Sequence, residues 1–151
     1  MMLFTFEADF VDSLRCIPMQ VRFKLDTCGI KLKLIQWHQF SQKERQILVD
    51  LSCANAEEIV TYRELLRYWV LKYSDEPAID LSIDPNPVWF EIGQIPLEVQ
   101  TQLAEHKAAL DLSDWVKMTP LQRFALIKLS RSDHENHNLL PALAEFKLGL
   151  K

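Results

Sequence analysis

The chain has 151 residues, enough for one domain with a buried core, and its 48 % hydrophobic and 25 % charged residues argue against disorder. A net charge of −4 gives no global attraction to nucleic acid, and three glycines are too few for a protein dominated by tight β-turns. Cys16, Cys28 and Cys53 are odd in number and widely spaced, so no disulfide framework is expected and a reducing cytoplasm suits the chain.

The opening "MMLFTFEADF" has no basic region and meets Glu7 and Asp9 before any long apolar run, so neither a signal peptide nor a transit peptide is expected. No stretch reaches the roughly 18 apolar residues of a membrane span. From Ile17 the pattern turns helical. Pro18 is placed for a first helical turn, and Ile17, Val21, Leu25 and Cys28 share one face. Gly29 then offers a residue able to end the helix at positive φ. Ser41-Gln42-Lys43-Glu44 predicts a capping box and a second helix, with Ile47, Leu48 and Leu51 as its buried stripe. A third helix carries Ile59, Tyr62, Leu65, Leu66, Trp69 and Tyr73, with Asn55 as its cap.

Residues 74–94 hold Asp75, Glu76, Asp80, Asp84 and Glu91 with no Lys or Arg. Pro77, Pro85 and Pro87 exclude a continuous helix there, and the segment reads as an ordered loop that brings Trp89 or Phe90 onto the core. Its charge reads first as a solvated face, and second as one pole of a surface for a charged partner.

From Ile95 the chain repeats itself. Sliding it by 78 residues matches 17–52 to 95–130 with no gap, and eleven of the 36 positions are identical, Trp37/Trp115, Arg45/Arg123 and Ile17-Pro18/Ile95-Pro96 among them. Chance matching gives roughly two or three, so self-similarity explains the pattern better. The second copy repeats the cap as Thr119-Pro120-Leu121-Gln122 and the buried stripe as Ala125, Leu126 and Leu129. It ends in a shorter helix at about Leu139–Leu148, with Pro141 near its start. Where the first copy has Gly29 the second has Lys107, so its first helix is expected to end differently. The chain is read as one all-α domain, residues 1–151, of about six helices. A three-helix unit is duplicated over 17–69 and 95–147, with repeats running to about 73 and 148 around the acidic, Pro-rich connector.

Reactive chemistry is sparse. His134 and His137 could share a helix face, but a metal site needs further ligands, and a polar loop explains the cluster as well. Cys28 lies near Lys24 and Lys31, the best available setting for a nucleophile, yet its place on the apolar stripe favours a core residue. No phosphate loop, dinucleotide fingerprint, nucleophile elbow or zinc-protease motif is present. Trp37 and Trp115 read as fillers of equivalent core pockets, and Arg45 and Arg123 as a structural ion pair or cap. The reading is therefore of a protein that is not an enzyme and carries no cofactor or metal.

Positions shared by both copies are those the fold demands, so the departures of the first copy are freer to carry function. Arg22, Phe23 and Lys24 stand where the second copy has Gln100, Thr101 and Gln102. An aromatic ring between two cations fits a protein-binding hot spot, and equally a ring packed under Phe4, Phe6 or Phe10. With the neighbouring charges, the candidate partner-binding set is Glu7, Asp9, Arg15, Arg22, Phe23, Lys24 and Lys31. A second reading is a helical ligand-binding domain, with an anionic small molecule met by Lys24, Lys31, Lys33 or Arg45.

The stretch "FEADFVDSLRCIPMQVRFKLDTCGIKLKLIQW", residues 6–37, resembles the opening of the nitrate reductase-associated protein family, found largely in cyanobacteria. The resemblance rests on Phe6-Glu7-x-Asp9-Phe10, Leu14-Arg15-Cys16-Ile17-Pro18-Met19, Arg22, Lys24-Leu25-Asp26, Gly29-x-Lys31-Leu32 and Trp37. It implies a small cytoplasmic accessory of assimilatory nitrate reductase, the molybdenum-cofactor enzyme that reduces nitrate to nitrite. Partners implied are the reductase or its cofactor insertion machinery, with no nucleic acid and no membrane. A small molecule, if bound, would be of molybdopterin type. The resemblance carries over no catalytic residue.

Overall fold

The computed structural model describes residues 4–8, 14–132 and 136–149. The chain divides into two compact units: one is Glu7–Asp84, the other joins Phe4–Phe6 to the chain from Pro85 onward. Among the described residues there are eight α-helices and one two-stranded sheet, against the six helices expected. The extra two, six residues each, are the segments that carry Trp37 and Trp115.

The first unit runs α1 (Met19–Cys28), β1 (Ile30–Lys31), α2 (Leu34–Gln39), α3 (Gln42–Asp50), α4 (Ala56–Ser74) and β2 (Ile79–Asp80). Pro18 lies one residue before the first turn, as the N-cap of α1. Its carbonyl accepts from the N–H groups of Val21 and Arg22. Val21, Leu25 and Cys28, spaced by four and three, put one face of α1 into a core shared with Trp37, Phe40, Leu48, Tyr62, Leu66 and Trp69. Ile47 departs from expectation and is exposed, its place in the α3 stripe taken by Val49. Tyr73 is exposed too, and its hydroxyl donates to Glu44 at 2.9 Å.

Gly29 ends α1 at φ +79°, its N–H donating to the Leu25 carbonyl. A Cβ there would stand 2.8 Å from the Ile83 side chain and 2.9 Å from the Leu81 carbonyl, so glycine is required by space as well as by angle. The close approach lets β1 and β2 pair antiparallel, Ile30 opposite Asp80 and Lys31 opposite Ile79.

The second unit runs α5 (Leu97–Glu105), α6 (Leu112–Lys117), α7 (Pro120–Arg131) and α8 (Leu139–Leu148). Helix α7 is its centre, buried from Arg123 through Ile127 and at Leu129 and Ser130, with α5, α8 and a 3₁₀ turn at Val88–Phe90 packed on it. Of the two aromatics expected on the core, Trp89 meets the Phe124 ring edge-on at 5.0 Å while Phe90 is exposed. Phe4 and Phe6 pack on Phe146, and the N–H groups of Thr5 and Phe6 donate to the Glu145 carboxylate.

Helices α5, α6 and α7 start 78 residues after α1, α2 and α3 (97 − 19, 112 − 34 and 120 − 42). The last pair departs from this, since α4 has 19 residues and α8 has ten.

Candidate interaction surface

The residues singled out around α1 divide by burial. Glu7 is 1 % exposed, and its carboxylate accepts from the N–H of Met19 at 3.1 Å. Pro18 has no side-chain acceptor to offer the first turn, and an anion is favoured at a helix N-terminus, so Glu7 supplies the missing cap.

Lys24 is likewise buried. Its ammonium donates to the carbonyls of Val49 at 2.8 Å and Leu51 at 2.6 Å, with the Tyr62 ring 5.7 Å away. These carbonyls close the C-terminal end of α3, where a cation is favoured. Burial lowers the Lys24 pKa, while Cys53 and Asp50 pull it upward. Glu7 and Lys24 therefore serve the fold.

The other candidates stay nearer the surface. Arg15 and Lys31 are exposed, and Arg22 and Phe23 are half-buried. The Arg22 Nε donates to the Ile17 carbonyl at 3.1 Å, and the Arg15 carbonyl lies 2.7 Å from the His38 Nε2. Arg15 precedes α1 and Lys31 follows it, so a helix roughly 15 Å long separates them. Asp9 lies outside the described residues, as does His134 of the histidine pair.

The repeated tryptophan and arginine form one device used twice. Trp37 is fully buried, its indole donating to the Leu14 carbonyl at 2.7 Å. Arg45, eight residues on, donates to the carbonyls of Trp37 at 3.1 Å and His38 at 3.0 Å. In the second unit Trp115 donates to the Glu91 carbonyl at 3.0 Å. Arg123 donates to the carbonyls of Trp115 at 3.1 Å, Met118 at 2.6 Å and Trp89 at 2.7 Å. Each arginine caps the end of the short helix bearing its tryptophan, so of the two roles expected the cap is the one found. The spacing of eight was visible in the sequence, but the carbonyls it reaches were not.

Burial pushes the Cys28 thiol up to about 12 and the Cys53 thiol to about 11, which keeps both protonated near neutrality and poorly nucleophilic. Among the described residues, no group of three or more His, Cys, Asp and Glu side chains is placed to hold a metal ion. A groove of about 310 Å³ at the start of α4 is lined by Leu51, Ser52, Asn55, Glu57, Glu58 and Thr61. Its two glutamates repel an anion. The cations considered for an anionic ligand do not converge: Lys24 is internal, Arg45 is bonded to carbonyls, and Lys31 and Lys33 are exposed.

These features define a mostly helical protein whose conspicuous polar residues, Glu7, Lys24, Arg45 and Arg123, are used to hold helix ends together. Residues 3–146 match the family described as conserved nitrate reductase-associated protein (Nitr_red_assoc), and the chain belongs to that family. No curated protein and no solved structure matches it significantly. No helix among the described residues is long and apolar enough to cross a membrane.

Proposed function

We propose that this chain is a non-catalytic, cytoplasmic accessory protein that assists assembly or maturation of the molybdenum-dependent assimilatory nitrate reductase through protein–protein contacts. The observation that carries this reading is membership of the nitrate reductase-associated family over nearly the whole chain. The placement of the candidate residues supports it. Arg15 and Lys31 reach solvent at the two ends of α1 with Arg22 and Phe23 half-exposed between them, a charged face with an aromatic at its middle. The partner is the reductase itself or the machinery that inserts its cofactor. We also read the 78-residue offset of three helix starts and the twofold use of the tryptophan–arginine cap as the outcome of an internal duplication.

The test reverses charge at both ends of that face. Arg15→Glu combined with Lys31→Glu should slow association with purified reductase or its insertion proteins and alter its salt dependence, whereas Lys117→Glu should not. Equal effects from the two sets would remove the assigned face. Full reductase activity in cells lacking the protein would overturn the accessory role itself.

A further inference from the structure

We infer that the outer edge of β2 is a docking site for an extended segment of a partner protein that alternates apolar with Lys or Arg residues. The geometry begins with the ladder. Leu81 donates its N–H to the Gly29 carbonyl at 2.8 Å, one step beyond the pairs Ile30/Asp80 and Lys31/Ile79. In an antiparallel pair successive residues turn their polar groups to opposite sides, so with Leu81 facing β1 the N–H and C=O of Asp80 face outward, followed by the N–H of Ser82 just beyond the end of β2. Among the described residues the sheet has two strands, and no strand pairs with β2 on its other side.

The side chains along this edge suit a strand. Ile79-Asp80-Leu81-Ser82-Ile83-Asp84 alternates strictly, and Ile79, Leu81 and Ile83 stay 41 %, 36 % and 51 % exposed. Arg67 of α4 reaches Asp80 at 2.8 Å, and Leu71 lies one helical turn further along the same face of α4, 52 % exposed.

Charge selects the occupant. Exposed edges are commonly guarded by lysine, proline or a bulge. Here Pro77 and Pro85 flank the strand, and the charges are acidic, Asp75, Glu76, Asp80 and Asp84, with no Lys or Arg between residues 74 and 94. The Arg67–Asp80 pair is solvent-exposed and therefore weak, so an incoming cation can share Asp80. A second copy of this strand would bring aspartates within reach of one another, which disfavours self-pairing. A basic and apolar strand sets cations beside the aspartates and apolar side chains beside Ile79, Leu81 and Ile83. Main-chain bonds to Asp80 and Ser82 would supply the register. This inference stands apart from the reductase reading, and its test contains no reductase.

The test is amide hydrogen exchange of the full chain, read by NMR during titration with a synthetic peptide of four Lys-Val repeats. Two control peptides carry four Glu-Val repeats, or the same lysines and valines in two blocks. The alternating basic peptide should slow exchange at Asp80 and Ser82 by about tenfold or more, and neither control should. Asp84→Lys, and separately Asp80→Lys, should each weaken peptide binding several-fold with the exchange pattern of the helices unchanged. The proposal is overturned if no protection appears, or if either control protects equally. Protection that grows with protein concentration and needs no peptide would assign the edge to a second copy instead, and would also overturn it.

Discussion

At the scale of single residues, Gly29 and Lys107 pose the same backbone problem and solve it unequally. They are 78 positions apart, and both end a helix with positive φ, +79° and +58°. After Glu105, the Lys107 N–H reaches the Ala104 carbonyl and the Ala108 N–H reaches Leu103, the paired bonds of a Schellman ending. Lys107 therefore takes the left-handed conformation that glycine takes without strain, but as expected the two helices end differently, with a single Gly29 N–H to Leu25 bond in the first and this bonded pair in the second. Replacing it, Lys107→Gly, should stabilise the protein by about 0.5–1 kcal/mol in urea denaturation. Gly29→Ala meets both the unfavourable angle and contacts under 3 Å, and should cost about 2–4 kcal/mol by the same measurement. The two arginine caps also differ in depth. Arg123 is 5 % exposed and donates to three carbonyls, whereas Arg45 is half-buried. Arg123→Ala should lose about 3 kcal/mol and Arg45→Ala about half of that, both read as shifts of the urea midpoint.

At the scale of elements, helix starts are the best-determined features of this chain. Capping boxes form at Ser41/Glu44, Asn55/Glu58 and Thr119/Gln122, each with side chain and backbone bonded reciprocally. Asn55→Ala removes the acceptor for the Glu58 N–H and should cost about 1 kcal/mol, measured by thermal or urea unfolding. The same boxes predict an acid dependence. The Ala54 N–H, then the Ser52 hydroxyl and the Asn55 N–H, hold Glu58 below the ordinary glutamate value of 4.5. For Glu44, desolvation acts upward but is outweighed by bonds from Ser41 and the Tyr73 hydroxyl. Both groups bind protons more weakly folded than unfolded. Their stabilisation is therefore complete above the ordinary glutamate range and is lost as pH falls through it into the lowered folded values. A plot of unfolding free energy against pH should fall on that acid side. Glu58→Gln should flatten part of the fall and leave the slope near neutral pH unchanged.

At the scale of the whole chain, each unit has its own buried core and its own tryptophan–arginine cap, with similar helix starts and different last helices. The differences are where interaction has been assigned. Arg15, Arg22, Phe23 and Lys31 have no like-charged or aromatic counterparts in the second unit. The acidic edge strand follows α4, whose 19 residues exceed the ten of α8. The two proposed surfaces carry opposite charge, so rising salt should weaken association at both. Charge reversal at Arg15 and Lys31 should affect the reductase measurement and leave protection of Asp80 and Ser82 by the basic peptide intact.

Local chemistry was enough to write the helical class, the cap positions, the glycine turn and the span Leu139–Leu148 from the amino acids alone. Those features depend on bonds between residues three to five apart, which spacing displays directly. The recurrence of the tryptophan and of the arginine was visible because each occurs twice, but that the one caps the helix of the other was not. Tertiary structure decided which polar groups were available. Lys24 looks like a surface cation beside Arg22 and Phe23, yet carbonyls 25 and 27 residues away draw it inside. Glu7 is taken by a helix start twelve residues on. Ile47 turned outward and Val49 inward because neighbouring elements, rather than the helix's own period, chose the covered face. The edge of β2 exists only because a glycine fifty residues earlier lets two strands approach. Such long-range pairings leave no periodic trace in the chain, so burial, and with it the choice between structural and exposed charge, is set only in the folded protein.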